Sequence, residues 1–348
     1  MLTRIEAPDH EEVWKIADPK TGLTGFIALH STALGPAAGG LRMRPYATPQ
    51  EALEDVLRLS RGMTYKNAAA GLPLGGGKAV IIGDPARDKT PELLRAMGRA
   101  VDRLQGRYWT AEDMGMSPAD MRVIRSETGF VAGLEDGRNG SGDPSPVTAR
   151  GIFNAMRVAA RHRFGSPDLA GRRVLVQGLG HVGAWLCQYL HEAGATLAVT
   201  DTDGDRIARI TARHGAEALA PESIYAAPGD IFAPCAIGGI LNETTIPQLQ
   251  VGLVVGGANN QLADDADADR LAARGILYAP DYVANGGGII NVATEILRIR
   301  DRDSFVAERL DALAATLDRI LTRAAQTGTS PARIADATVA ETMARSAA

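Results

Sequence analysis

Two lysines stand out because they lie in a segment made mostly of alanine, glycine, leucine and methionine. The segment reads MTYKNAAAGLPLGGGK from Met63 and contains Lys66 and Lys78. A lysine is rarely buried unless it is paired, and burial favours the uncharged amine, which can accept a proton. The composition fits a general base together with a second cationic group in one site, although two solvated surface lysines would explain it as well.

An acidic pair, Glu112 and Asp113, offers a partner for these lysines. It follows a strand-like run, Arg107 to Thr110, and precedes a helix signal at Ser117. A carboxylate beside a lysine amine can exchange protons with a substrate, which makes the acidic pair a candidate for acid–base chemistry. A helix cap or a solvated loop is the alternative interpretation.

The three glycines before Lys78 raise the question of a phosphate-binding loop. That motif requires serine or threonine directly after its lysine and a helix next. Here Ala79 follows Lys78, and Ala79 to Ile82 have the composition of a strand. A phosphate-binding loop of this type is therefore excluded.

A second glycine-rich segment has the spacing of a dinucleotide-binding turn. The strand-like run Arg173 to Gln177 leads into GLGHVG, a helical pattern follows, and Asp201 ends the next strand. Such glycines let backbone amides approach a pyrophosphate, while the acid binds the adenosine ribose and would repel a 2′-phosphate. The pattern predicts an NAD site, with a glycine-rich turn between buried elements as the alternative. The turn comprises Gly178, Leu179, Gly180, His181, Val182 and Gly183.

The patterns around these residues predict an α/β fold with two domains. Helix starts with a capping residue followed by proline occur at Thr48, Thr90 and Ser117. The segment from Glu135 to Pro146 is rich in glycine, proline and small polar residues, which predicts an interdomain hinge. Beyond it a helix is predicted from about Val147, and short apolar runs then alternate with helix-length segments, which favours a doubly wound parallel sheet. The expected ranges are an N-terminal α/β substrate domain at 1–134, a Rossmann-type NAD-binding domain at 135–324, and a C-terminal helix at about 325–348 that could pack back on the first domain.

Composition argues against several classes of protein. Of 348 residues, 45% are hydrophobic and 22% are charged, and the formal net charge is -4, so neither disorder nor nucleic-acid binding is indicated. Cys187 and Cys235 lie far apart in apolar surroundings, which indicates reduced thiols in the cytoplasm rather than disulfides or a metal site. The N-terminal segment lacks the apolar core of a signal peptide, and no apolar run of about 20 residues occurs. We expect a protein without a membrane partner.

Seven segments of the chain resemble leucine dehydrogenase and its relatives that act on phenylalanine and valine. They are, in chain order, GGLRMRPY, GMTYKNAAAGLPLGGGKAVIIGDP, GRYWTAEDMG, GDPSPVTARG, APCAIGG, GGANNQL and APDYVANGGGIINVATE. This resemblance to the Glu-Leu-Phe-Val amino-acid dehydrogenase family covers nearly the whole chain. It implies a homo-oligomer that uses NAD to deaminate a small apolar L-amino acid reversibly to its 2-oxo acid, with release of ammonia.

The same resemblance implies roles for individual residues. Lys78 is similar to the family's catalytic base, a lysine held neutral so that it activates water, and Asp113 to the acid that relays protons at the substrate nitrogen. Lys66 matches the residue that binds the substrate carboxylate, helped by the backbone at Gly39 and Gly40. The positions that match the side-chain pocket are Ala38, Met63, Ala111, Ile289 and Val292, and those that match cofactor contacts are Thr148, Cys235, Ala236, Ala258 and Asn259, the last also near the carboxylate.

Three alternatives remain at this stage. The five pocket positions are apolar, which disfavours glutamate but leaves phenylalanine or tryptophan open as the substrate, since one methylene is worth only about 1–3 kcal/mol in an apolar pocket. A non-catalytic NAD-binding regulator would have no need of Lys66, Lys78 and Asp113. A 2-hydroxy-acid dehydrogenase would need a histidine acid, and none lies near the lysine segment.

Because the base and the nicotinamide are expected on different domains, closure of a cleft is also expected.

Overall fold

The computed structural model describes residues 2–134 and 140–347. Its first unit runs through Pro144 and takes in Asn291–Phe305 and the residues from Glu341 onward, and its second unit comprises Ser145–Ile290 and Val306–Ala340. Residues 135–139 of the predicted hinge lie outside the described residues. The domain ranges proposed from the sequence, 1–134, 135–324 and 325–348, stay a prediction.

The first unit is built on a six-stranded mixed sheet. Its strands are β1 (Leu2–Ile5), β2 (Glu12–Asp18), β3 (Leu23–Ser31), β4 (Ala37–Arg44), β5 (Gly75–Ile82) and β6 (Tyr108–Glu112). They lie in the order β1-β2-β3-β5-β4-β6. The neighbouring pairs β1–β2, β2–β3 and β3–β5 are antiparallel, whereas β4 runs parallel to both β5 and β6. Strand β4 is therefore the central parallel strand, with β5 on one side and β6 on the other.

Three helices of this unit begin where their caps predicted. Thr48, Thr90 and Ser117 each accept a hydrogen bond from the backbone N–H three residues on, and proline stands in each first turn. The capping box is complete at Ser117, whereas Glu51 accepts from the N–H of Ala47. The helices are α1 (Pro49–Ala69), α2 (Pro91–Asp102) and α3 (Pro118–Arg125).

Apolar side chains cover both faces of this sheet. On one face Phe26 and Val80 belong to a cluster that includes Val56 of α1. On the other face Leu41 and Ile81 belong to a larger cluster with the apolar residues of α2 and α3. Because side chains alternate along a strand, the residue two before Val80, which is Lys78, lies on the face covered by α1.

Strand β5 begins at the three glycines, Gly75–Gly77, earlier than the start predicted at Ala79. An added Cβ would lie 2.1 Å from the Ser31 carbonyl oxygen at the first glycine, 2.1 Å from the Thr64 nitrogen at the second, and 2.7 Å from the Tyr108 ring at the third. A strand, a helix and an aromatic ring thus approach successive residues too closely for any side chain. The three glycines are therefore the closely packed first residues of strand β5.

The second unit contains a six-stranded parallel sheet. Its strands are β7 (Arg173–Gln177), β8 (Thr196–Thr200), β9 (Glu217–Ala218), β10 (Ile231–Pro234), β11 (Leu253–Val254) and β12 (Leu277–Tyr278). Their order, β12-β11-β10-β7-β8-β9, reverses beside β7, and every pair is parallel. This is the strand order of a Rossmann sheet, in which ligands bind outside the carboxyl ends of the strands where the order reverses. The predicted α/β class with a Rossmann-type second domain is confirmed.

Helices connect these strands and complete both units. The helix predicted from about Val147 to Arg163 runs from Ser145 to Phe164 and ends before Gly165, whose φ of 78° is left-handed. The helices are α4 (Ser145–Phe164), α5 (His181–Glu192), α6 (Gly204–His214), α7 (Ala266–Ala273), α8 (Asp281–Ala284), α9 (Gly287–Ile296), α10 (Arg302–Thr327) and α11 (Pro331–Ala347).

A buried glutamate on α9 fixes the backbone of the first unit near residue 134. Glu295 Oε1 accepts hydrogen bonds from the N–H groups of Gly133 at 3.1 Å, Leu134 at 3.2 Å and Ser141 at 2.6 Å. Asn291 on the same helix donates to the Ser141 carbonyl at 3.1 Å. Hydrogen bonds to a carboxylate are stronger than those between neutral groups, so Glu295 holds this backbone firmly.

The described residues contain neither a candidate membrane-spanning helix nor a candidate metal cluster. None of their helices is both long and apolar enough to cross a membrane, and they contain no group of three or more His, Cys, Asp or Glu side chains placed to hold a metal. Cys187 and Cys235 are free thiols, and burial raises the pKa of Cys235 to about 11, so neither is placed as a nucleophile by its surroundings.

Candidate active site

An ion pair between Lys78 and Asp113 forms the centre of the candidate site. Lys78 lies on β5 and is only 6% exposed, and Asp113 follows directly after β6. Lys78 Nζ contacts Asp113 Oδ2, so the two side chains meet across β4, which lies between their strands. The other oxygen of Asp113 accepts a hydrogen bond from the Met114 N–H at 2.7 Å. The structure brings together the lysine and the acid that the sequence analysis proposed.

Two glycines of β4 leave room for this pair. A Cβ added to Gly40 would lie 2.9 Å from the Cβ of Asp113, and one added to Gly39 would lie 1.9 Å from the Gly77 carbonyl oxygen and 2.9 Å from Met63 Cγ. Real side chains do not tolerate such distances, so both positions require glycine. The backbone of β4 therefore lies directly beside the Lys78–Asp113 pair.

Asp113 has a second cationic neighbour, Arg42 on β4. Arg42 Nη2 lies 3.5 Å from Asp113 Oδ2, and Arg42 Nη1 lies 3.1 Å from Asp55 on α1. Burial alone would raise the pKa of Asp113, but the charges of Lys78 and Arg42 outweigh it and lower that pKa to about 2. Asp113 is therefore ionised near neutral pH. Sequence reasoning did not single out Arg42, because its partners Asp55 and Asp113 lie far from it in sequence and at no regular spacing.

Helix α1 carries Lys66 and Met63 along the same part of the sheet. The buried side chain of Asn67 donates a 2.6 Å hydrogen bond to the carbonyl oxygen of the first residue of β5, which ties the end of the helix to that strand. Lys66 is half-buried one residue earlier. Ala38 on β4 is buried and Ala111 on β6 is half-buried. These four predicted positions thus belong to elements that carry or adjoin the Lys78–Asp113 pair.

The remaining two pocket positions, Ile289 and Val292, lie on α9. They are three residues apart, which places them on one side of the helix, and both are buried. Their assignment to the substrate pocket rests on the resemblance and stays a prediction.

The predicted glycine turn lies between β7 and α5, in the second unit. Gly178 has a φ of 94°, and an added Cβ would lie 2.7 Å from the Ala236 nitrogen; at Gly183 it would lie 2.0 Å from the Gly178 carbonyl oxygen. Gly180 is the N-cap of α5, forms no side-chain cap bond, and has open space around an added Cβ. His181 and Val182 begin the helix, and Leu179 is buried. The turn has the steric requirements that a dinucleotide-binding turn imposes on its glycines.

Asp201 is connected directly to this turn. Its Oδ2 accepts a 2.6 Å hydrogen bond from the Leu179 N–H, and its Oδ1 accepts one of 2.9 Å from the Asp203 N–H. Burial would raise the pKa of Asp201, but these backbone hydrogen bonds and the charge of Arg206 lower it. Asp201 is therefore a carboxylate, and it supports the turn in addition to any contact with a ribose.

The other predicted cofactor positions, apart from Thr148, lie in the loops that follow β10 and β11. Cys235 directly follows β10, and its N–H donates to the last residue of β7 at 2.7 Å. Ala236 is exposed, whereas Ala258 is buried and donates its N–H to the last residue of β10 at 2.9 Å. Asn259 Oδ1 accepts a 2.9 Å hydrogen bond from Asn285. Thr148 is buried on α4.

Comparison with known proteins extends over both units. Residues 10–129 match the family described as Glu/Leu/Phe/Val dehydrogenase, dimerisation domain, and residues 140–209 and 202–347 match Glutamate/Leucine/Phenylalanine/Valine dehydrogenase. Leucine dehydrogenase from Geobacillus stearothermophilus is 52% identical over 292 residues, which cover 84% of this chain and 80% of that protein. Valine dehydrogenase from Streptomyces virginiae is 49% identical over 330 residues, covering 94% and 92%.

A solved structure agrees with these matches. The crystal structure of L-tryptophan dehydrogenase from Nostoc punctiforme superposes with a TM-score of 0.84 and 42% identity, over 97% of each chain. The comparisons confirm the family resemblance and favour an enzyme over a non-catalytic regulator. The chain belongs to the Glu/Leu/Phe/Val dehydrogenase family, and is an NAD(P)-dependent amino-acid dehydrogenase, an oxidoreductase that acts on CH–NH2 groups.

Proposed function

We propose that this enzyme oxidatively deaminates a small apolar L-amino acid, of the leucine, valine or isoleucine type, with NAD. The products are the 2-oxo acid, ammonia and NADH, and the reaction is reversible. The observation that carries the proposal is the ion pair between the buried Lys78 and the half-buried Asp113, set beside the glycines of β4. A base, an acid and a binding group for the substrate carboxylate are the groups that deamination requires to orient Cα and to hydrate the oxidised substrate.

Lys66, Lys78 and Asp113 each have a separate role in this proposal. Lys66 binds the substrate carboxylate together with backbone N–H groups at Gly39 and Gly40, which fixes the orientation of Cα. Oxidation leaves an iminium, and Lys78 in its uncharged form removes a proton from the water that adds to the iminium carbon. Asp113 exchanges protons with the nitrogen, which leaves as ammonia when the carbonyl forms. Asp113 suits this task because it is ionised and in contact with Lys78.

The second unit supplies groups that fit NAD, which accepts the hydride from Cα when bound. The N-terminus of α5 offers backbone N–H groups and the positive end of a helix dipole to the pyrophosphate, and Gly180 leaves space in front of them. The carboxylate of Asp201 can accept hydrogen bonds from the ribose hydroxyls and would repel a 2′-phosphate, which favours NAD over NADP.

The choice of an apolar substrate is supported by the five pocket positions and by the named relatives. Ala38, Met63, Ala111, Ile289 and Val292 offer no charge to a polar side chain. The relatives cited above are named for leucine, valine and tryptophan. An aromatic amino acid is therefore the second candidate substrate.

A substrate panel tests the proposal. We expect NADH formation, followed by absorbance, to be fastest with L-leucine, L-valine or L-isoleucine, and kcat/KM for L-glutamate to be lower by about 100-fold or more, because its carboxylate would be buried unpaired. The D-enantiomers and a 2-hydroxy acid serve as controls. A clear preference for L-phenylalanine or L-tryptophan would establish the second candidate, and a panel with no active amino acid would refute the proposed function.

The preference for NAD is tested at Asp201. Asp201→Asn removes the charge but keeps an oxygen that can accept from the Leu179 N–H, so we expect kcat/KM with NADP to rise about 10- to 100-fold relative to that with NAD. Asp201→Ala also removes the support of the turn and should weaken both cofactors. Asp205→Asn is the matched control, because Asp205 is exposed in the first turn of α6 and its replacement changes the local charge without altering the support of the glycine turn. An unchanged cofactor ratio in Asp201→Asn would mean that another group sets the preference.

We further propose that the chain acts as a homo-oligomer in the cytoplasm. The family matched by residues 10–129 is described as a dimerisation domain, which supports self-association. The free thiols of Cys187 and Cys235 fit a reducing compartment.

A further inference from the structure

Arg42 connects the Lys78–Asp113 pair to helix α1. Its side chain is 13% exposed, with Nη1 3.1 Å from Asp55 Oδ2 and Nη2 3.5 Å from Asp113 Oδ2. The planar guanidinium presents separate N–H groups to the two carboxylates, a geometry that a lysine ammonium does not reproduce. Arg42 is thus a bridge between a structural acid and a reacting one.

The structural end of this bridge is strongly fixed. Asp55 is 5% exposed, and its Oδ2 also accepts a 2.8 Å hydrogen bond from the Tyr46 hydroxyl. Arg44 approaches the same oxygen at 3.8 Å, and Arg58 lies 3.5 Å from Oδ1. Because Asp55 is held by several donors, it anchors one end of Arg42 and leaves the other terminal nitrogen for the pair.

The reacting end has titratable groups around it on β4, β5 and β6. Lys78 approaches Asp113 from β5 and Arg42 approaches it from β4. On β6, burial and the charge of Asp113 raise the pKa of Tyr108, which therefore stays neutral. A guanidinium remains charged at every pH at which the enzyme is folded. Its attraction for Asp113 therefore persists while Lys78 gains and loses protons during turnover.

We propose that Arg42 is a positioning residue for catalysis, which holds the Asp113 carboxylate ionised and oriented toward Lys78 through its anchor on Asp55. This inference rests on the proposed roles of Lys78 and Asp113. In this inference the positive charge of Arg42 sets the protonation of the Lys78–Asp113 pair. The ion pair between Arg42 and Asp55 on α1 sets the position of Asp113. The two contributions are separable by substitution.

The test compares pH profiles of kcat/KM for deamination in variants of the intact enzyme. Arg42→Gln removes the charge and the bridge, Arg42→Lys keeps the charge alone, and Asp55→Asn keeps the charge but loosens the anchor. Arg99→Gln is the matched control, because Arg99 is also an arginine of the first unit in an ion pair but pairs with Glu127 rather than with Asp55 or Asp113. Melting temperatures are measured in parallel, so that loss of folding is seen directly.

We expect the acidic limb of the Arg42→Gln profile to move to higher pH by about one unit, because a pair that has lost a neighbouring positive charge retains its proton more strongly. Arg42→Lys and Asp55→Asn should keep the limb near its original position and lower kcat by about tenfold, through loss of orientation. Arg99→Gln should resemble the unmodified enzyme. If Arg42→Gln does not fold, the lowered kcat of Arg42→Lys at an unchanged limb still tests the bridge.

Two results would overturn the inference. If Arg42→Gln lowers the melting temperature but leaves the limb in place, or if Arg42→Lys has the kcat of the unmodified enzyme, Arg42 is merely structural. Asp113→Asn distinguishes this from failure of the proposed function. An inactive Asp113→Asn beside an unaffected Arg42→Gln refutes only the role of Arg42, whereas an active Asp113→Asn refutes the role of Asp113 and with it the inference.

Discussion

Lys78→Ala is expected to lower kcat for amino-acid deamination by about 1,000-fold or more, with little change in the affinity for NADH. Lys78 is the amine in contact with Asp113, and its removal leaves no side chain at that position to take a proton from water. The glycine turn lies in the second unit, so cofactor binding should survive. Steady-state kinetics give kcat, and NADH fluorescence in the free enzyme gives the affinity.

A second lysine–aspartate pair provides the control for this experiment. Lys89 Nζ lies 2.7 Å from Asp120 Oδ2 and 2.9 Å from the Gly115 carbonyl oxygen, also in the first unit. Lys89→Ala removes a comparable ion pair that includes neither Lys78 nor Asp113, and it should reduce stability while kcat is largely kept. Substantial turnover in Lys78→Ala, or an equal loss in both variants, would remove Lys78 from the mechanism.

Asp113→Asn is expected to lower kcat by about 100-fold. The amide has nearly the shape of the carboxylate but neither accepts a proton at neutral pH nor pairs with the charge of Arg42. The loss should appear in single-turnover measurements of 2-oxo acid formation, because it affects proton transfer rather than substrate binding.

The control for this substitution is Asp120→Asn. Asp120 completes the capping box of α3, so its replacement should lower the melting temperature by loss of the cap and leave kcat nearly intact. A full rate in Asp113→Asn would show that protons reach the substrate nitrogen by another route.

Local signals predicted much of this fold because they act within a few residues of each other. The caps at Thr48, Thr90 and Ser117 each satisfy a backbone N–H three positions away, and the helices begin there. The glycine turn is partly local, because Gly183 is constrained by the Gly178 carbonyl oxygen five residues earlier, whereas Gly178 is constrained by Ala236 in the loop after β10. Such short-range requirements are visible in the sequence itself.

The features that the sequence did not reveal depend on contacts between distant segments. Strand β4 escaped prediction because Gly39 and Gly40 weaken its strand pattern, and the reason for them lies in Gly77, Met63 and Asp113. The early start of β5 has the same origin, as its glycines are required by three separate neighbours. Arg42 became visible only when β4 and α1 were placed side by side.

The roles of Lys66 and of the apolar pocket came from the family resemblance rather than from the residues alone. Composition could not distinguish two solvated lysines from a site, and the half-buried Lys66 does not by itself decide the matter. Burial of Ile289 and Val292 fits a pocket and fits an ordinary core equally well.

The absence of side chains at Gly39 and Gly40 has a consequence for how such enzymes diversify. Even a methyl group at either position would collide with Gly77 or Asp113, so neither glycine tolerates substitution beside the Lys78–Asp113 pair. Under the proposed function, a change toward a larger or smaller substrate would then involve the proposed pocket positions, such as Val292, rather than β4. The reaction can then stay the same while the substrate specificity of the enzyme changes.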